Sequence, residues 1–305
     1  MKKIEALIKD SEELKKERQR ITLMLKTSSL IKRYLFDHDI DPLLIDRYPM
    51  QFLRLYEQLE ICDKCLGLHD CQLPNRGHYQ ALEYDGTLKR IMRPCRYQVA
   101  YNVENRHLVN YLINDIPDNM YNVTLEKIDI SVEHNQEYLE AINKIWDWLA
   151  GKLDKGLFLY GKVGTGKTYL LACIANKFAM DNKKVAFVHM PKLLIRLKAA
   201  FNDDDEHYKI MAALINADFL VLDDIGAEPV TGWYRDEILS TILNERMIKQ
   251  KLTCFSSNLD LKQLNINFKY TQKKDVDELK ASRIMERINM LADPLEISGH
   301  NRRFQ

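Results

Sequence analysis

The chain has 305 residues, room for two domains with separate cores, and its 46% hydrophobic and 29% charged residues are the balance of an ordinary globular protein. Its 45 Lys and Arg nearly cancel its 44 Asp and Glu, which excludes a bulk polycation, so any nucleic-acid contact has to come from a local patch. The opening MKKIEALIKDSEELKKERQR lacks the apolar centre of a signal peptide, and no uninterrupted apolar run nears the roughly 20 residues of a membrane helix.

A cytoplasmic, reducing setting is therefore expected, with no membrane partner, and there clustered cysteines serve metal or redox chemistry more often than disulfides. Residues 2–26 carry apolar side chains at Ile4, Leu7, Ile8, Leu14, Ile21 and Leu25, an imperfect helical pattern. That helix reads either as a solvated face or as a docking helix for a partner's groove. A second helical stretch, DRYPMQFLRLYEQLE, runs into ICDKCLGLHDC, three cysteines and a histidine in eleven residues. Cys62 and Cys65 have the spacing that lets two thiolates reach one zinc ion. A thioredoxin-like pair is the competing reading, but it wants a strand before the first cysteine, and a helical pattern precedes this one. His69, Cys71, His78 and Cys95 are the available remaining ligands. The pattern weakens over residues 114–122, where Pro117, Asp118 and Asn119 give the best turn signal. This divides the chain into an N-terminal domain over 1–106, a linker over 107–120, and a second domain over 121–305.

From there strands and helices alternate. GLFLY (156–160), KVAFVHM (184–190), DFLVL (218–222) and LTCFSS (252–257) read as buried strands separated by helices, an α/β fold with a parallel sheet covered on both faces. GKVGTGKT, residues 161–168, is a phosphate-binding loop in the context that confirms it, between an apolar strand and a helix. Gly161, Gly164 and Gly166 let backbone N–H groups converge on phosphate oxygens, and the helix that follows adds its positive end. Lys162, Val163, Thr165 and Tyr169 complete the expected nucleotide contacts. Lys167 would reach the β- and γ-phosphates of ATP, and the Thr168 hydroxyl would take magnesium. FLVLDDIG then places Asp223 and Asp224 at the carboxyl edge of a strand, where open α/β sheets hold ligands. Asp223 would share the magnesium with Thr168, and Asp224 would orient or deprotonate the attacking water. Asn258, ending FSSN, would touch the γ-phosphate or that water. Lys192, Arg196 and Lys198 in HMPKLLIRLKAAF form a candidate patch for single-stranded DNA, although the acidic NDDDE that follows opposes it.

The phosphate loop, LVLDDIG, the strand ending SSN and then ASRIMERI form a run that resembles the AAA+ ATPases, most nearly the bacterial helicase loaders of the DnaC and DnaI type. The N-terminal cysteines and the final PLEISGHNRRFQ resemble the DnaI-type primosomal loaders of Gram-positive bacteria. The resemblance implies an AAA+ P-loop ATPase preceded by a small, mainly helical zinc-binding domain, which docks on the replicative hexameric helicase. It implies an ATPase that loads this helicase onto single-stranded DNA, meets other primosome proteins and assembles with copies of itself. By it, Lys167 and Thr168 become the Walker A pair, Asp223 and Asp224 the Walker B pair, and Asn258 sensor 1. Arg283, with Arg287 as the alternative, becomes the arginine that reaches a neighbour's ATP, and Arg302 or Arg303 a sensor 2. The same resemblance selects His78 and Cys95 to complete the zinc site of Cys62 and Cys65, with Cys71 in reserve. Asp-Asp stands where many AAA+ proteins have Asp-Glu, so the second carboxylate is a methylene shorter and slow or prompted hydrolysis is expected. Two rivals share these motifs. One is an IstB-type transposition helper, expected to lack the zinc domain, and the other a nucleotide-sensing adaptor that never turns over.

Overall fold

A computed structural model describes residues 2–128, 135–151, 154–271, 276–299 and 301, with side chains from residue 12 onward. The chain divides into two units, Met1–Glu104 and Asn105–Gln305.

The first unit holds helices α1 (Lys2–Thr27), α2 (Ser29–Asp37), α3 (Leu44–Arg47) and α4 (Pro49–Asp63), then strands β1 (His78–Tyr84) and β2 (Leu88–Pro94) and helix α5 (Arg96–Glu104). Local chemistry sets the helix starts: Ser28 Oγ accepts from the Ile31 N–H at the head of α2, and Pro49 occupies the first turn of α4. Leu25, Ile31, Leu35, Ile45, Phe52 and Leu55 form the core, closed by Ala81 and Leu82 of β1. Tyr34 fastens strand to helix, its hydroxyl accepting from Leu82 N (2.8 Å) and donating to Leu82 O (3.1 Å). Burial pushes that phenol up to about 12. The antiparallel β1–β2 pair is an addition to the expected helical domain. Its signal was present: Asp85-Gly86, with Gly86 at φ 97°, is a hairpin turn between two alternating segments.

The second unit runs β3 (Tyr111–Asn114), α6 (Gln136–Ala150), β4 (Gly156–Tyr160), α7 (Lys167–Met180), β5 (Val185–His189), α8 (Met190–Ala199), α9 (Asp204–Asn216) and β6 (Phe219–Asp223). A π-helical segment, Trp233–Leu239, leads into α10 (Ser240–Ile248), then β7 (Leu252–Ser257), α11 (Leu261–Lys269), α12 (Glu278–Leu291) and β8 (Ala292–Glu296). The six strands form one parallel sheet in the order β3-β5-β6-β7-β4-β8. Alternation along the strands feeds two cores. Leu157, Leu159, Phe187 and Val221 face α6 and α7, while Phe158, Val188, Leu222 and Phe255 face the layer of α8 to α12. Arg246, fully buried on α10, donates to the carbonyls of Leu214, Ile215 and Ala217 at the end of α9 and of Leu252 on β7, so its charge is solvated by peptide groups.

The α/β reading with a parallel sheet holds, and all four expected strands are present. The expected linker is a correction. Residues 107–120 belong to the second unit: β3 pairs with β5, Asn110 Nδ2 donates to Ala179 O (2.9 Å), and Tyr111 donates to Asn176 Oδ1 (2.8 Å). A four-residue edge strand flanked by asparagines carries too little periodicity to be read from sequence. β8 was also missed, since Asp293 and Pro294 interrupt its apolar run, which an edge strand tolerates. Among the described residues no helix is long and apolar enough to cross a membrane.

Candidate functional site

The site is built at the carboxyl edge of the sheet. β4 ends at Tyr160, and the loop that follows turns through Gly161 (φ 143°), Gly164 (φ 85°) and Gly166 (φ 97°) into α7. The requirement at Gly161 is steric as well as conformational: a Cβ there would stand 2.4 Å from the Ile297 carbonyl oxygen. Ile297 follows β8, and its N–H donates to Tyr160 O (2.7 Å). Thr165 is buried, its hydroxyl donating to Lys162 O (3.0 Å), whereas Lys162 and Val163 are exposed at the loop's tip. Lys167 is 7% exposed and its Nζ donates to Gly161 O (2.8 Å), Lys162 O (2.9 Å) and Asn258 Oδ1 (2.9 Å).

The acids stand opposite. Asp223 is buried, and its Oδ1 accepts from both Thr168 Oγ1 (2.9 Å) and Ser256 Oγ (2.6 Å). Burial pushes its carboxyl up, and the two hydroxyl donors work against that shift. Asp224 takes the left-handed region at φ 60°, with its N–H donating to Ser256 Oγ (2.9 Å). Asn258 joins the two sides: its Oδ1 accepts from Lys167 and its Nδ2 donates to Asp224 Oδ1 (2.9 Å). The loop, both acids and Asn258 open onto one cavity of about 920 Å³, in the range of small-molecule sites. Pro117, Met120, Ile128, Tyr138 and Tyr169 give it an apolar wall suited to a flat base, so the stretch expected as a linker shapes the site.

Sequence reasoning missed Asp115, His189 and Ser256, which all line this cavity. Ser256 lay in the quoted FSSN, and His189 ends a strand as Asp223 does, a positional signal that went unused. The three cations expected to form a DNA patch do not share one face: Lys192 and Arg196, four residues apart, lie on one side of α8, and Lys198 on another. Lys192 lines the nucleotide cavity, and Arg196 is paired with buried Asp115 (2.6 Å). Lys198 is exposed about 200° around α8 from Arg196, by helical geometry. Arg283 is exposed on α12, while Arg287 donates to Ser240 Oγ (2.8 Å) and is already engaged. Arg302 and Arg303 lie outside the described residues.

In the first unit, Cys62, Cys65, Cys71 and Cys95 line one cavity of about 220 Å³ with Gly77, Tyr79 and Tyr97. Burial, and then the neighbouring thiols, push Cys62 up. Cys65 Sγ lies 3.2 Å from Gly67 O, and Gly77 N–H donates to Cys71 Sγ (3.4 Å). His78 is absent from that lining. It pairs with Pro94, next to Cys95, and its Nδ1 is 3.1 Å from Arg76 O. Among the described residues no three His, Cys, Asp or Glu side chains are gathered so that they could hold a metal ion. The thiols thus converge on a cavity without forming a ligand set.

Comparison with known proteins gives a consistent result. Residues 119–305 match the family described as IstB-like ATP binding protein. The chain is 32% identical over 274 residues to the replicative helicase loader DnaI of Bacillus subtilis (strain 168), which covers 87% of this chain and 85% of that protein. A crystal structure of DnaI is similar with a TM-score of 0.54 at 34% identity, over 62% of this chain and 98% of that one. A crystal structure of the DnaC helicase loader has a TM-score of 0.50 over 60% of this chain and all of that one; at 22% identity this bears on the fold alone.

Proposed function

The chain belongs to the IstB-like ATP-binding family and to its replicative helicase loaders, and on that premise we propose that it is an ATP-controlled loader, delivering a replicative hexameric helicase to single-stranded DNA. The observation that carries this reading is the length of the likeness to DnaI. Its 274 residues exceed the whole of the second unit, so the N-terminal unit shares in it. A transposition helper of the IstB type would account for residues 119–305 and leave that unit unexplained.

The second unit binds ATP and hydrolyses it slowly or on cue. Lys167 Nζ, directed by three acceptors into the mouth of the loop, holds the β- and γ-phosphates, with the loop N–H groups around them. Thr168 and Asp223, already 2.9 Å apart, fit a hydroxyl–carboxylate pair for magnesium, which when bound neutralises phosphate charge. Asp224, aimed by its amide partner Asn258, orients the attacking water and accepts its proton. Because Asn258 bonds to both Lys167 and Asp224, a γ-phosphate that takes over the lysine changes the bond to the acid as well, which suits a sensor. Tyr169 and the 117–128 wall take the base, and Arg302 adds a contact to the nucleotide. Exposed Arg283 reaches the ATP of a neighbouring copy, so the loader self-assembles through this unit.

The N-terminal unit is the helicase adaptor; zinc would be held there by Cys62, Cys65 and Cys95, which line one cavity, with His78, which stands outside that lining, as the fourth ligand. The Nδ1 of His78 faces a backbone carbonyl, the arrangement that fixes a ring with its Nε2 lone pair free for metal. Lys198 is the remaining candidate for contact with DNA, and the work is done in the cytoplasm among other primosome proteins. The hydrolysis part is tested by steady-state turnover with and without single-stranded DNA. Turnover should rise with DNA, and Arg283→Ala should lower the stimulated rate about 100-fold or more with little change in ATP affinity. Turnover at background under every condition would instead make the protein a nucleotide-sensing adaptor.

A further inference from the structure

The turn that follows Asp224 is held by a buried carboxylate. Glu228 is 3% exposed and is absent from the lining of the nucleotide cavity, so its task is not to touch ATP. Its Oε2 accepts from the Gly226 N–H (3.0 Å), and its Oε1 accepts from the hydroxyl of Tyr234, which is fully buried. Burial pushes this carboxyl up, and the donors from Tyr234 and Gly226 work against that shift. What the two bonds secure is the shape of the chain at Asp224. That residue holds the left-handed region at φ 60°, which a non-glycine residue adopts only at a cost. Asp224 O accepts from the Ala227 N–H (3.3 Å), closing a four-residue turn in which Gly226, at φ 91°, takes the third position. Toward β7, Ile225 N–H donates to Ser256 O (2.8 Å) and Ser257 Oγ donates to Ile225 O (2.6 Å). The turn is thus fixed to β7 on one side and to Glu228 on the other. Tyr234 lies in the π-helical segment, so the same carboxylate ties the turn to that segment.

We propose that Glu228 and Tyr234 are a positioning pair for ATP hydrolysis, fixing the turn that aims the Asp224 carboxylate at the attacking water. Without the carboxylate, the Gly226 N–H and the buried Tyr234 hydroxyl both lose their acceptor. Away from β7 the turn then keeps the long bond from Asn267 Nδ2 to Gly226 O (3.4 Å). Asp224 still meets Asn258, but its backbone drifts from a conformation it does not favour on its own. The damage falls on the step in which water is oriented and deprotonated. Lys167 and the phosphate loop stand on other elements and keep their grip on ATP. kcat therefore falls while ATP affinity holds.

The inference rests on the hydrolysis reading above, and the experiment separates the two. Turnover, and ATP affinity by titration calorimetry, are measured for wild type, Glu228→Gln, Glu228→Met and Tyr234→Phe, with thermal melting as a check on folding. Glutamine keeps an acceptor for the Gly226 N–H and has an amide that donates to the phenol oxygen, so kcat should stay within about threefold of wild type. Glu228→Met has the same unbranched shape without strong acceptors and should lose about 10- to 100-fold in kcat. Tyr234→Phe, which leaves the bond to Gly226, should lose about 5- to 20-fold, and all three should bind ATP within about twofold of wild type. Should Glu228→Met melt early, Tyr234→Phe, which keeps the bulk of the ring, carries the test against Glu228→Gln. Wild type without turnover removes both readings. Active wild type with kcat unchanged in Glu228→Met or in Tyr234→Phe, Glu228→Gln as impaired as Glu228→Met, or a loss confined to ATP affinity overturns the role of the pair and leaves hydrolysis standing.

Discussion

Lys167→Ala should lose ATP affinity by about 2–5 kcal/mol, some 30- to several-thousand-fold, because it removes the buried cation of the phosphate loop, Lys162 being exposed at its tip, from a partner that is almost all negative charge. The folded protein should lose far less. Nζ gives up hydrogen bonds to two loop carbonyls and to Asn258, and of these acceptors Asn258 lines the open cavity and Lys162 is exposed. Titration calorimetry with ATP, beside a melting curve, makes the comparison. Lys167→Met, which keeps the apolar stem, should bind as poorly as alanine. Undiminished ATP affinity in either variant would move the nucleotide elsewhere.

Cys62→Ser is the second large effect. Metal analysis of the purified wild type should give about one zinc per chain, and the variant should give little. The first unit has a small core for its length, and a metal staple would supply much of its stability, so loss of the metal should make its melting broad or abolish it. ATP affinity should stay at the wild-type value, since the phosphate loop lies in the other unit. His78→Ala and Cys71→Ser identify the fourth ligand: the histidine variant should lose metal and the serine variant keep it, and the reverse result would assign Cys71. A metal-free wild type whose Cys62 and Cys65 form a reversible disulfide would replace the zinc reading with a redox one.

What the sequence made legible follows from how local each signal is. The phosphate loop was readable because its three glycines, lysine and threonine are fixed by contiguous backbone geometry between a strand and a helix. Asp223 was readable because four apolar residues ending in an acid define a buried strand edge. Asp115 was hidden for the opposite reason. It follows a four-residue strand of unremarkable composition, and only the sheet brings it to His189 and Arg196. Its pairing with Arg196 was hidden too, since three cations counted along a helix say nothing about which of them already has an acid across the fold. The hairpin of the first unit was legible in Asp85-Gly86, a turn signal between two alternating segments.

Loading is tested most directly by transfer of the cognate replicative helicase onto circular single-stranded DNA, which has no end to thread. Purified helicase, labelled circular DNA and ATP are mixed with and without this chain, and the helicase retained on DNA is counted after gel filtration. Retention should require the wild-type chain and be lost with the Lys167→Ala and Cys62→Ser variants. Equal retention with and without the chain, or no association between chain and helicase under any nucleotide condition, would contradict it.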